Sequence, residues 1–312
     1  MAAYSYEGCL ERSYRVNWKI KDVLGTVGFD RGRPWLPAAL SGAGGIFCLN
    51  ADEKRKLTHV EMGAYAHLFG FVEAFIAPEM VDLARESEGV NGVAFEALTT
   101  FASEEIKHMR LFREVRKMVD SALGFPLELL EGQDQVAQVV LGKHRGAVLL
   151  LTAAIEWFTQ HHFLSAMKNA DELDPLTKEI FRCHWLEEAQ HAQLDHLETL
   201  RAFREMTDAD RDQAIEDLIW LLAAVDGLLQ QQVAHDVNNF RRYLGRAFSA
   251  AEHQEIHRNL LKAKRHCFIE SGVVHPNFQE LFLAVTTPAQ QAGVQGAVSL
   301  LLQEQHGPLV QG

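Results

Sequence analysis

Two E-x-x-H motifs, Glu105/His108 and Glu188/His191, each follow a lone glutamate at the same distance. Glu73 stands 32 residues before Glu105 and Glu156 stands 32 before Glu188, so the second set repeats the first 83 positions later. A carboxylate and an imidazole three residues apart project from one face of a helix within a turn, so each motif can aim both groups at one point. Either motif alone says little in a chain this rich in Glu and His. Given twice, with a glutamate from each of two further helices, the set is one with which a four-helix bundle holds two metal ions.

The charges balance, because four carboxylates offset two divalent ions while neutral imidazoles add nothing. Left without metal in an apolar bundle, those carboxylates would suffer desolvation and mutual repulsion, or take up protons. Both lone glutamates do sit in apolar stretches, Glu73 in 68-LFGFVEAFIAP-78 and Glu156 in 148-VLLLTAAIEWF-158. Hard oxygen donors with imidazole suit iron or manganese.

His184 precedes Glu188 by four positions and His191 by seven, giving H-x-x-x-E-x-x-H on one helical face. It is either a seventh ligand or a core histidine. Asp195, one turn beyond His191, is placed to accept that ring's second N–H or to lie on the surface. Tyr65, two turns before Glu73, either approaches the site or packs in the core. Glu104 and Glu187 precede the ligand glutamates and should point sideways, while His161 and His162 turn away from the face of Glu156.

The elements needed to position these groups are legible. Eight prolines, recurrent helix punctuation and no period-2 alternation point to an all-α chain. Asn50 with Glu53 and Ser249 with Glu252 have the spacing of helix N-caps, and Asp174-Pro175 and Thr287-Pro288 read as a cap followed by a first-turn proline. Long helices are expected at 52–86, 91–121, 143–169 and 175–204, with Pro78 kinking or breaking the first. Phe101, Ile106, Met109 and Phe112 in the second, and Leu150, Leu151, Ala154, Trp157 and Phe158 in the third, recur at helical spacing. Further helices are expected at 207–236, 249–271 and 288–305, around an irregular N-terminal 1–50 that wraps the outside. With no flexible linker in sight, residues 1–312 read as a single domain: a bundle at 52–204 and accessory helices at 205–312.

A 312-residue chain with 47% hydrophobic residues can bury a large core. Its formal charge of -12, with no basic run to offset it, argues against nucleic acid or anionic membrane as a partner. Cys9, Cys48, Cys183 and Cys267 form no C-x-x-C pair, which disfavours a disulfide framework and fits a reducing cytoplasm. The N-terminus lacks a secretory layout, and a stretch such as 146–158 is too short to span a bilayer, so a soluble protein is expected.

In the order and spacing of its four glutamates and two E-x-x-H histidines, the region 52–204 resembles the ferritin-like diiron carboxylate superfamily. His184, four before Glu188, resembles the histidine-rich site of the p-aminobenzoate N-oxygenase group of diiron oxygenases. The resemblance implies a ferritin-like four-helix bundle with Glu73, Glu105, His108, Glu156, His184, Glu188 and His191 as ligands to two iron ions, manganese being the alternative. It implies a non-haem oxidoreductase that uses O₂ to oxygenate a small organic substrate, as in N-oxygenation of an amine, with an external electron donor among its partners. Phe69, Phe101, Phe112, Leu151 and Phe181 are candidates for a cavity wall or for ordinary core. An iron-storage protein and a radical-generating subunit, with Tyr65 as the radical, are the competing readings on the same scaffold. Long apolar helix faces are compatible with a homodimer.

Overall fold

In a computed structural model, which describes residues 4–303, every regular element is helical, as the punctuation requires. The chain begins with α1 (Tyr6–Arg15), α2 (Ile20–Leu24) and α3 (Ala38–Ser41), followed by the long α4 (Ala51–Ser87) and α5 (Gly92–Leu123). Then come α6 (Gln133–Leu141), α7 (Arg145–His162), α8 (Pro175–Glu205) and α9 (Asp208–Leu244). Finally α10 (Ala250–Arg265), α11 (Ser271–Val273), α12 (Pro276–Val285) and α13 (Pro288–Gln303) pack around the rest.

The caps are made as their residue types dictate. Asn50 accepts from the Glu53 amide at 3.0 Å while the Glu53 carboxylate accepts from the Asn50 amide at 3.0 Å. Asp174 accepts from the Thr177 amide at 3.0 Å, ahead of Pro175 in the first turn of α8. Two extensive pairings build the bundle, α4 with α5 and α7 with α8. Together these four helices carry all seven candidate ligands.

Several expectations are corrected. Pro78 does not break α4, which runs through it without interruption. That residue is exposed, so the carbonyl left without its N–H partner lies on the wet side of the helix. Instead of continuing to 169, α7 stops at His162 and passes into a π-helical turn, Phe163–Met167. Ile106 points outward, 51% exposed, although Phe101 and Phe112 on the same helix are buried. α6 and α12 were not anticipated, and the last two residues of the expected 288–305 helix lie outside the described residues.

The N-terminal 50 residues are less irregular than composition suggests. α1 packs against α5 and α8, burying Cys9, and Ser13 donates to Glu104 at 3.2 Å. Trp35 is fully buried against His59, their rings 4.0 Å apart. The signal was the aromatic and apolar content of this region, which had to be covered by something.

Among the described residues, α4 alone is long and apolar enough by length and composition to cross a membrane, and 78% of its most apolar window is buried inside the fold. α5 does most of that covering, and α9 and α6 add to it. Lys264 of α10 reaches Glu61 of α4 at 2.7 Å and Asp236 of α9 at 2.9 Å in a buried cluster. Gly272 is required where α11 crosses α7, because a Cβ there would sit 2.5 Å from the Ala154 carbonyl oxygen. The four cysteines are all free thiols.

Candidate metal centre

Glu73 comes from α4, Glu105 and His108 from α5, Glu156 from α7, and His184, Glu188 and His191 from α8. None is more than 3% exposed. Two overlapping groups have ligand atoms close enough for one ion each: Glu73, His108, His184 and Glu188, and Glu105, His108, Glu188 and His191. Glu188 is their hub, with Oε1 2.5 Å from His184 Nε2 and 3.2 Å from His108 Nδ1, and Oε2 2.7 Å from His191 Nδ1. Glu105 Oε1 lies 2.8 Å from His191 Nδ1 and 3.7 Å from the Nδ1 of its own motif partner His108. The two E-x-x-H motifs therefore interleave across the bundle instead of each keeping to one half. Glu156 stands outside both groups, with its carboxyl beside that of Glu188.

The donor set fits a metal by a test internal to the protein. Both carboxylate oxygens of Glu73 and of Glu105, one of Glu156, and nitrogens of His108 and His184 are buried here without a well-formed hydrogen bond. Buried polar atoms are normally partnered, so unpartnered donors converging on one point mark a place for a cation.

The outward nitrogens of two rings are held with care. His108 Nε2 bonds Glu187 Oε2 at 2.8 Å, and His191 Nε2 bonds Glu104 Oε2 at 2.8 Å. Each holding carboxylate sits in sequence beside a ligand glutamate but serves the histidine of the opposite motif, Glu104 of α5 reaching α8 and Glu187 of α8 reaching α5. The doubled glutamates of 104-EEIKH-108 and 187-EEAQH-191 were the signal for this, and the sideways direction expected of them is what makes the crossing possible. Lys107 pairs with Glu187, and Ser13 and Gln190 with Glu104. With the proton of each ring fixed at Nε2, the Nδ1 lone pair faces the centre.

Asp195 takes no part in that arrangement. It is neither on the surface nor the partner of His191, being fully buried with both oxygens free of hydrogen bonds. The reason is orientation: the outward nitrogen of His191 points across to α5, where Glu104 takes it. Tyr65 likewise faces away from the ligands and shares a 2.6 Å hydrogen bond with His162 Nδ1, whose Nε2 bonds Ser271 at 3.0 Å. His162 is thus a buried structural residue while His161 is exposed.

Aromatic rings close the rest of the shell. Phe101 stacks on His191 at 3.8 Å, and Phe69 and Phe112 meet His184 edge-on at 5.2 and 4.9 Å. In these apolar surroundings burial pushes the Glu73 carboxyl up to about 8 and the Glu156 carboxyl well above its ordinary range. Burial opposes ionisation of Glu188 too, but the charges of His184, His108 and His191 outweigh it and hold this carboxyl well below. The His108 and His191 rings are in turn held well above the usual imidazole range, burial being overcome chiefly by Glu188. The polypeptide alone thus balances its buried charges with protons, which a pair of divalent ions would displace.

A comparison with protein-family profiles matches residues 46–271 to the description P-aminobenzoate N-oxygenase AurF. That span runs from before α4 to the start of α11, well over half of the chain. No curated protein gives a match.

Proposed function

The chain belongs to the p-aminobenzoate N-oxygenase AurF family, and on that premise we propose that it is a non-haem diiron oxygenase whose iron ligands are Glu73, Glu105, His108, Glu156, His184, Glu188 and His191. The observation that carries this reading is the convergence of buried, unpartnered carboxylate and imidazole atoms from four helices. Two ferrous ions, when bound, would supply the electrons that reduce O₂ for transfer of oxygen to the nitrogen of an amine.

The remaining work belongs to the protein. Glu187 and Glu104 hold the His108 and His191 rings in one tautomer and orientation, so both inward nitrogens are preset as donors. Glu188, reached by three histidines, is kept ionised and is suited to span two cations. Phe69, Phe101 and Phe112 keep water from the ligand atoms and lower the local dielectric, which strengthens each charged contact. Tyr65 and His162 sit behind Phe69 as a neutral hydrogen-bonded pair.

Metal analysis and anaerobic loading with Fe(II) followed by mixing with O₂ test this reading. We expect two irons per chain and an oxygen-dependent change in the near-ultraviolet and visible absorbance. A protein that takes up no iron, or iron that O₂ leaves unaltered, sinks it.

A further inference from the structure

Behind the carboxylate side of the centre, where α4, α6, α7 and α9 meet, lies a cavity of about 270 Å³. Its inner wall includes Val72 and Ile155, chain neighbours of Glu73 and Glu156. Phe158, also in that wall, packs 6.0 Å from Phe69, which in turn meets the His184 ring at 5.2 Å. Its outer wall reaches Val139 and Trp220, which are half-exposed, so the space opens to the surface there, while the Phe158 and Phe69 rings stand between it and the candidate ligand His184. Of its eighteen lining residues only Gln135 and Trp220 carry polar side-chain atoms, and none is Lys, Arg or His.

The inner walls are poorly matched to a carboxylate. A buried anion needs a counter-charge or several donors, and the inner walls offer none. The lining's donors are the Gln135 amide and the Trp220 indole N–H, and Lys143, 3.9 Å over the Trp220 ring, is the cation at the outer wall. A cavity of about 150 Å³ takes benzene, so this one has room for a substituted ring, and Phe71, Phe75, Phe158 and Phe268 offer faces and edges to it. We propose that the substrate is an uncharged aromatic amine without an acidic group, and so not the p-aminobenzoate in the family's name. The inference rests on the diiron oxygenase reading for the reacting amine, but the polarity of the cavity stands by itself.

Calorimetric titration of the metal-loaded protein under nitrogen, with p-toluidine and p-aminobenzoate as probes, tests it. We expect p-toluidine to bind at least tenfold more tightly, and Val225→Trp, which fills the cavity, to abolish that binding with metal content unchanged. Ala224→Leu, a smaller filling, should weaken it in part if the Trp variant does not fold. Equal or tighter binding of p-aminobenzoate, or no binding of p-toluidine, overturns the proposal. Failure of oxygen transfer with the binding order intact would instead count against the proposed function.

The histidine side of the centre carries a second, independent inference. There a basin of about 580 Å³ is lined by Lys19, Lys21, Lys107, Arg110, Arg113 and Lys117 against one acid, Glu114, in a chain of formal charge -12. At its floor Trp18 lies parallel to the His108 ring, centroids 5.8 Å apart and planes 9° apart. Lys107 sits 4.1 Å over the indole and pairs with Glu187, the carboxylate that holds His108. We infer that this basin docks an acidic one-electron carrier protein, with Trp18 the contact between the carrier and His108. Resting likewise on the diiron reading, each encounter oxidises one carrier by one electron and reduces one ferric ion to ferrous, so two encounters ready the centre. The negative charge elsewhere on the chain disfavours an extended polyanion such as DNA.

A reduced plant-type [2Fe–2S] ferredoxin is a suitable probe, with binding followed by calorimetry and ferric reduction by stopped-flow bleaching. The triple variant Lys19→Glu, Lys21→Glu, Lys117→Glu should weaken binding tenfold or more and flatten its salt dependence. Reduction by dithionite should be unchanged in that variant. Trp18→Leu, with Trp18→Phe as the milder change, should slow reduction measured at saturating carrier. Unaltered binding in the triple variant, or short duplex DNA bound as tightly as ferredoxin, overturns the docking surface. Unaltered reduction in both Trp18 variants overturns the route.

Discussion

Among the proposed ligands, His184 is the group the repeated motif does not contain. Its Nε2 lies 2.5 Å from Glu188 and 3.5 Å from Glu73, and neither ring nitrogen has a well-formed hydrogen bond. If it is a ligand, His184→Ala should lower the metal content or alter the spectrum of one ion, as read by metal analysis and Mössbauer spectroscopy. Unchanged stoichiometry and spectra would return it to the core. Glu187 tests the holding carboxylates. Glu187→Ala should weaken metal binding by about 10–100-fold, because the His108 ring then loses its fixed tautomer. A chelator competition giving wild-type affinity would show that the ring needs no such holding.

At the scale of elements, the accessory helices are tied to the bundle by buried charge. Arg265 of α10 bonds Asp226 of α9 through two nitrogens at 2.6 and 2.8 Å, and Lys264 beside it joins α4, α9 and α10. Losing Asp226 takes two charged hydrogen bonds out of the buried interface between α9 and α10. Asp226→Ala should therefore destabilise the protein by about 1.5–3 kcal/mol in urea unfolding. A loss near that of a surface substitution would mean that the Asp226 pairing contributes nothing net to the fold. The long helices were legible because caps and apolar spacing are local: α4, α5 and α8 start and stop within two residues of the expected bounds, whereas α7 ends seven residues early and α9 runs eight residues further. α1 was missed, since only its contacts with α5 and α8 give its short, polar sequence a reason to be ordered.

For the molecule as a whole, two buried histidines outside the proposed ligand set bear on acid stability. Burial holds the His59 ring at about 4 and the His162 ring at about 3, against 6.5 in an unfolded chain. Both rings are neutral in the fold, so the stability they contribute is complete above 6.5 and lost as pH falls from there toward 4 and 3. The loss is on the order of 1.4 kcal/mol per pH unit for each ring. Urea midpoints of the chelated protein between neutral pH and pH 4 should follow that slope, and His162→Gln should flatten it. A slope unaffected by the substitution would mean that the ring charges without strain. By itself the sequence determined the all-α fold, the four helices and seven residues able to face one another, because helix periodicity and spacing are properties of a local stretch of chain. Only the tertiary structure decided that the motifs interleave, that Glu104 and Glu187 hold the opposite histidines, and that an apolar cavity and a basic basin flank the centre. Those relations join atoms from separate helices, and a linear pattern cannot say which side of a bundle meets which neighbour.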